Sequence, residues 1–164
     1  MALSLASDTA LGSTSNTQDQ GLFWHTVWNL RIPNKIKTFI WKACQDILPT
    51  KVNLRCRQVL EDATCEACGL DSKTTGHLLW DCQRARETWE LSGIPFDITR
   101  IRYRDSKDLL WYLIFTKHVD RDLLVLIVIM AWCMWFNRNK TRLGSPRQPS
   151  REILHKARLI LEEF

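Results

Sequence analysis

The sequence predicts an all-α fold: amphipathic helices packed around a tryptophan-rich core, with a small Cys/His loop near the middle. Three observations lead there. Apolar residues recur at i, i+3, i+4 and i+7 over several stretches, the period of a helix with one buried face. Thr, Asp or Ser stands before most of these stretches and Gly or Pro after them, the punctuation of helix starts and stops. No segment alternates apolar and polar residues persuasively at the period of two that a half-buried strand requires.

Residues 7–20 are rich in Ser, Thr, Asn, Asp and Gln without apolar periodicity, so a disordered leader is expected over residues 1–20. Order is expected from Gly21, with Trp24, Val27 and Trp28 on one helical face, until Arg31-Ile32-Pro33 breaks the helix. The next helix has the clearest stripe, Ile36, Phe39, Ile40, Ala43, Cys44 and Ile47, with Asn34 as its N-cap and Pro49 ending it. Thr50 caps a third helix, Lys51 to Leu60, before a loop opens at Glu61-Asp62. Thr74 or Thr75 caps a helix starting beside His77, and a further stretch from Arg84 to Ser92 turns Trp89 inward and stops at Gly93. Ser106 precedes a helix over Lys107 to Lys117, with Leu109, Leu110, Leu113 and Ile114 spaced for burial. Asp120 caps a long helix from Arg121 to Arg142, ended by Gly144 and Pro146. Ser150 caps the last, whose stripe is Leu154, Ala157, Leu161 and Phe164. The expected organisation is a leader (1–20), a helical domain carrying the loop (21–92), a linker (93–105) and a C-terminal helical segment (106–164).

A chain of 164 residues can bury a core as one ordinary domain or two small ones. Its eight tryptophans supply large flat surfaces for packing helices, and each buried indole N–H needs a partner. Core placement is expected for Trp24, Trp28, Trp41, Trp80 and Trp89. The start, Met1 to Ala6, lacks the basic residues of a secretory signal. The longest apolar run, Leu123 to Phe136, holds about fourteen residues, fewer than the ~20 that cross a bilayer, so it reads as a buried helix and no membrane partner is expected. The formal net charge of +5 favours polyanion contact without deciding for it.

Cys65, Cys68, His77 and Cys82 are spaced C-x2-C-x8-H-x4-C. Zn2+ takes four N/S ligands in a tetrahedron, and this set offers three thiolates and one imidazole with no open position, which argues for a structural ion. The turn Cys65-Glu66-Ala67-Cys68-Gly69 lets two sulfurs reach one ion, with Gly69 free to take a positive φ. The alternative is unliganded or redox-active cysteines. A redox C-x-x-C expects a strand before it, and none is predicted. Cys44, Cys56 and Cys133 are expected as buried small hydrophobes. A metal set suits a reducing compartment, hence an intracellular setting, nucleus or cytoplasm.

Phe23-Trp24, the run Trp28-Asn29-Leu30-Arg31-Ile32-Pro33-Asn34-Lys35-Ile36-Lys37, and Phe39-Ile40-Trp41-Lys42-Ala43 together resemble the opening of the reverse-transcriptase zinc-binding domain of plant LINE-type (non-LTR) retroelements and related ribonuclease H-like proteins. Leu48-Pro49-Thr50, Cys65-x2-Cys68-Gly69, His77-Leu78-Leu79-x2-Cys82 and Trp89 follow in that family's order. Trp132, Trp135, Asn137, Arg138 and Asn139 resemble the W-x2-W-x-x-R-N segment that commonly comes after. The resemblance covers about Leu22 to Leu143 and implies a zinc ligand set at the same four positions. Lys73 and Gly76 stand where the family often carries acidic residues. Neither a Tyr-x-Asp-Asp polymerase motif nor a ribonuclease H carboxylate cluster is recognised, so the chain is expected to be a fragment of such an element, without catalytic residues.

Three functional classes follow. The first is a nucleic-acid-binding module, with Lys35, Lys37, Lys42, Lys51, Arg55, Arg57, Arg84 and Arg86 as phosphate-contacting candidates for RNA or DNA. The second is a protein-interaction or bridging module, with polymerase or ribonuclease H domains of a related element as partners, or a non-functional remnant. The third is an enzyme, for which only His25 or His118 near Asp120 imitates an acid–base pair; no nucleophile motif or phosphate loop accompanies them, and no small-molecule substrate is expected.

Overall fold

Helix follows helix in the computed structural model, which describes residues 6–59, 61–69 and 74–164 and the side chains from residue 17 onward; no strand forms among the described residues. Leu60 and Lys73 lie outside them. Internal packing separates two units, Met1–Leu30 and Arg31–Phe164. The first holds α1 (Ala6–Trp28), in which Phe23 and Val27 are buried and Phe23 meets Trp24 edge-on at 4.9 Å. Its backbone is helical over most of the stretch expected as a disordered leader. Once the turn around Trp24 exists, each residue added toward the N-terminus gains one hydrogen bond, and propagation needs no apolar face. Trp28, expected in the core, is 43% exposed.

The second unit begins with α2 (Asn34–Cys44), which buries Ile36, Phe39, Ile40, Ala43 and Cys44 as the stripe predicts. Its N-cap is Pro33 rather than Asn34: the amides of Ile36 and Lys37 both donate to the Pro33 carbonyl. The helix stops before Ile47 because Asp46 takes the left-handed conformation, φ 53°. The Asp46 and Ile47 amides then turn back to the carbonyls of Ala43 (3.2 Å) and Lys42 (3.0 Å). Ile47 therefore leaves the buried face and is 40% exposed. Trp41, on the opposite face of α2 from the stripe, is also exposed rather than core. Helix α3 (Lys51–Cys56) starts where predicted, the Thr50 hydroxyl accepting from the Asn53 amide at 3.2 Å. It buries no residue fully, which leaves Cys56 exposed, contrary to expectation.

A wide turn, His77–Asp81, with i→i+5 hydrogen bonding leads into α4 (Gln83–Leu91). Residues 93–105, expected as a linker, belong to the packed unit instead. Ile98 is 1% exposed, and the short Ile98–Arg100 turn packs on α4 and on the His77–Asp81 turn. Helix α5 (Ser106–Trp111) continues into a second wide turn, Tyr112–Thr116. Its cap is Asp105, whose carboxylate accepts the Asp108 amide at 2.8 Å. Ser106, expected just before the helix, is its first residue and accepts from the Trp80 indole N–H at 3.1 Å.

Helix α6 (Arg121–Arg142), capped by Asp120, runs through the core and packs on α2, α7 and the His77–Asp81 turn. By length and composition it could cross a membrane, but 67% of its most apolar window is buried inside the protein, as a core helix requires. Gly144, at φ 96°, closes it where a side chain would be strained. Helix α7 (Ser150–Glu163) lies against α4 and α6. Pro149 is its N-cap and Ser150 its first residue; the deepest positions are Ile153 and Ala157, with Leu154 and Leu161 half-buried and Phe164 exposed.

Trp80, fully buried, stacks on Trp89 at 5.3 Å. The Trp89 indole N–H donates to the Leu79 carbonyl at 2.7 Å, so both indoles are satisfied. Truncating Trp80 to Ala is expected to cost about 3–5 kcal/mol of unfolding free energy. Ser106→Ala, which orphans a buried N–H, should cost about 1–3 kcal/mol. Urea denaturation followed by far-UV ellipticity measures both, and a neutral Ser106→Ala would show that the indole finds another acceptor.

Candidate metal centre

Spacing alone does not bring His77 and Cys82 together. In an α-helix five residues turn through about 500°, which leaves the two side chains about 140° apart. The His77–Asp81 turn removes that offset by widening: the Cys82 amide donates to the His77 carbonyl, i→i+5, at 2.7 Å. The His77 imidazole and the Cys82 sulfur then share one side, while Leu79 and Trp80 enter the core. Thr74, of the two expected candidates, caps the segment, its hydroxyl accepting from the His77 amide at 3.0 Å. The Tyr103 hydroxyl clamps both ends, donating to Asp81 Oδ1 at 2.9 Å and facing the Gly76 carbonyl at 3.5 Å. Thr75 donates to the Asp46 carboxylate at 3.1 Å and so ties the segment to the end of α2.

The opposite wall is the turn from Cys65 to Gly69. The Gly69 amide donates to the Cys65 carbonyl at 2.7 Å, and Gly69 takes φ 69°. Lys51 holds this knuckle from α3: its ammonium meets Glu66 Oε1 at 2.8 Å and the Thr64 carbonyl at 3.1 Å. Asp62 accepts the Thr64 amide at 2.9 Å.

Between the two walls the four ligand atoms of Cys65, Cys68, His77 and Cys82 lie within 4.8 Å of one another. Cys65 Sγ is 3.8 Å from Cys82 Sγ, and Cys68 Sγ is 3.4 Å from His77 Nε2. A disulfide would need about 2.05 Å. A tetrahedral ion with metal–sulfur bonds of about 2.3 Å and a metal–nitrogen bond of about 2.0 Å has S···S edges near 3.8 Å and S···N edges near 3.5 Å. The donor set fits a zinc-sized ion. Cys65, Cys82 and His77 are buried and Cys68 is half-buried. Burial pushes the Cys82 thiol up to about 11, opposed by a hydrogen bond from the Arg84 amide and reinforced by the neighbouring sulfurs. Cys44 and Cys133 stay outside the cluster; burial pushes their thiols up to about 12 and about 11, as inert core residues.

The other residues singled out in the sequence are more dispersed. Lys35, Lys37 and Lys42 lie on α2 off its apolar stripe, and the Lys35 ammonium rests over the Trp132 ring at 4.9 Å. Arg55 and Arg57 are exposed at the end of α3, Arg84 and Arg86 on α4, while Lys51 is drawn into the knuckle. His25 and His118 are exposed, and the Asp120 carboxylate is engaged in capping α6. Tyr103, Asp46 and Asp81 gave no sequence signal, since each acts on the site from a distant stretch of chain. Arg138, quoted above for its resemblance alone, proves to be partly enclosed beside the knuckle.

Comparison with known proteins agrees with this geometry. No solved structure matches the chain. A protein of Arabidopsis thaliana named as a ribonuclease H protein is 25% identical over 67 residues, 41% of this chain and 11% of that protein, so the chain spans only a small part of its relative's length. Residues 7–89 match the family described as zinc-binding in reverse transcriptase, a stretch that takes in α1, α2, α3, the knuckle and the His77–Asp81 turn. The chain belongs to the family of zinc-binding domains of reverse transcriptases.

Proposed function

We propose that the chain is a non-catalytic nucleic-acid-binding module whose loop is fixed by one structural zinc ion on Cys65, Cys68, His77 and Cys82. The observation that carries the metal is the pair of edges, 3.8 Å between two sulfurs and 3.4 Å between sulfur and imidazole nitrogen. Four protein ligands leave no position for water or substrate, so the ion's contribution is to tie the knuckle to the His77–Asp81 turn. Thiolate ligands require a reducing setting, consistent with nucleus or cytoplasm.

Support for nucleic acid comes from α2. Its polar face carries Lys37 and Lys42 beside Trp41, which is 37% exposed and offers a ring for stacking a base. The family and the ribonuclease H-named relative support RNA or DNA of a related element as the ligand, and that element's polymerase or ribonuclease H domains as neighbours.

Purified protein is expected to carry about one zinc per chain. Cys82→Ser should abolish stoichiometric zinc by elemental analysis, and Cys133→Ser should leave it intact; full zinc content after loss of Cys82 would remove the assignment. Chelation should loosen the knuckle while most far-UV helical signal persists, because α6 and its neighbours have a core of their own. Collapse of the entire helical signal on chelation would contradict that. Lys37→Glu with Lys42→Glu should weaken single-stranded RNA binding at least tenfold and lower the log–log salt slope by about 0.7 per lost contact. An unmutated chain without polyanion affinity at moderate salt would exclude the nucleic-acid role and leave a protein-bridging one.

A further inference from the structure

A cleft of about 260 Å3 opens between the knuckle, the first turns of α4, the last turns of α6 and the start of α7. Arg84, Arg138, Arg142 and Arg147 all line it, and no residue of α2 does. Among the described residues no ion pair engages any of the four. Two carboxylates share the wall: Glu66, held by Lys51 at 2.8 Å, and Glu87.

Arg138 is the most enclosed. Its guanidinium lies 5.1 Å from the Trp135 ring, and Nη1 faces Asn139 Oδ1 at 3.4 Å. Its Nε and Nη2 are shut off from solvent and have no hydrogen-bond partner. Leaving two buried donors of a cation unsatisfied is costly, and buried polar groups are normally paired. Burial first, and the Arg142 charge second, push Arg138 down to about 10, so it remains charged at neutral pH. Burial and Arg84 likewise lower Arg147.

The start of α7 faces the same space. This 14-residue helix has no side-chain cap, and both its N-cap Pro149 and its first residue Ser150 line the cleft. Its first amides and the positive end of its dipole therefore add to the arginines. The fork of an arginine matches a phosphate bidentately, and a concentration of unpaired cations at an uncapped helix start is the environment a phosphate requires. Leu78, Met134 and Ile153 give the cleft apolar walls against which a sugar or base can rest.

We propose that this cleft is a phosphate-binding site, in which Arg142 and Arg147 grip one phosphate group of a nucleic-acid strand or of a free nucleotide while the enclosed Arg138 adds its positive charge from behind them. The site is independent of the α2 contacts, so the two readings fail separately.

The test titrates the full chain with inorganic phosphate, AMP and a short single-stranded RNA by calorimetry at constant ionic strength. Arg142→Gln with Arg147→Gln changes two exposed side chains and should keep the melting temperature. Arg138→Met removes the enclosed charge and leaves an apolar side chain of similar length. Both variants are expected to weaken the bound probe at least tenfold. AMP binding lost in the double variant identifies a free nucleotide as one source; a response of RNA alone identifies the strand. No binding of any probe, or equal binding by unmutated and double-variant protein (an adventitious ion only), overturns the site. If Lys37→Glu with Lys42→Glu leaves RNA affinity unchanged while the cleft variants abolish it, the α2 reading falls and the cleft stands. The reverse pattern overturns the cleft.

Discussion

One hydrogen bond sets the geometry of the candidate metal centre, the 2.7 Å contact from the Cys82 amide to the His77 carbonyl. By closing the chain over five residues instead of four, it solves two problems together. It aligns two ligand side chains that an α-helix would point apart, and it sends Leu79 and Trp80 into the core between them. An i→i+5 turn is rare, so it persists only where surroundings over-determine it. Those surroundings are present. Thr74 holds its start, the Tyr103 hydroxyl spans its ends, and the stacked Trp80 and Trp89 rings fix its inner face.

The knuckle depends on that turn from the other side. Among the described residues Lys51 holds it from outside, reaching both Glu66 and the Thr64 carbonyl. Much of that ion pair lies at the surface, with the Glu66 side chain 60% exposed, so its Coulomb term alone is worth little. Its value is positional: the Lys51 side chain is 11% exposed, and its ammonium satisfies a backbone carbonyl that the turn leaves over. A cation offered by sequence as a phosphate contact is therefore a structural strut. Trp41 reverses in the other direction, since a ring expected in the core faces solvent.

Legibility in the sequence followed the range of the interaction that fixes each feature. Helix positions and the α2 stripe were readable because their determinants lie within a few residues, as were Thr50 and Asp120 as caps. The clustering of Cys65, Cys68, His77 and Cys82 was legible because metal geometry restricts both residue type and spacing. Features decided by distant partners were not. Ser106 stands just before the predicted helix, yet its hydroxyl is taken by Trp80, 26 residues away, and Asp105 next to it is the cap. The stretch 93–105 read as a linker because its one deep residue, Ile98, shows no periodicity, and Tyr103 gives no local sign of its partner Asp81. Ile47 fits the stripe on paper, yet Asp46 in a left-handed conformation turns the chain before it.

Loop closure orders the assembly of these parts. Cys65 and Cys82 are separated by 17 positions, whereas the Thr88–Ser150 hydroxyl contact that helps seat α7 on α4 joins residues 62 apart. Closing the longer loop costs about 1 kcal/mol more in chain entropy. The knuckle and its turn are thus expected to form ahead of the docking of α7 during folding. The arginine-lined cleft, which needs the start of α7 as a wall, would be the last region completed. Its lining reports on the finished fold in a way that helical content, established earlier and locally, does not.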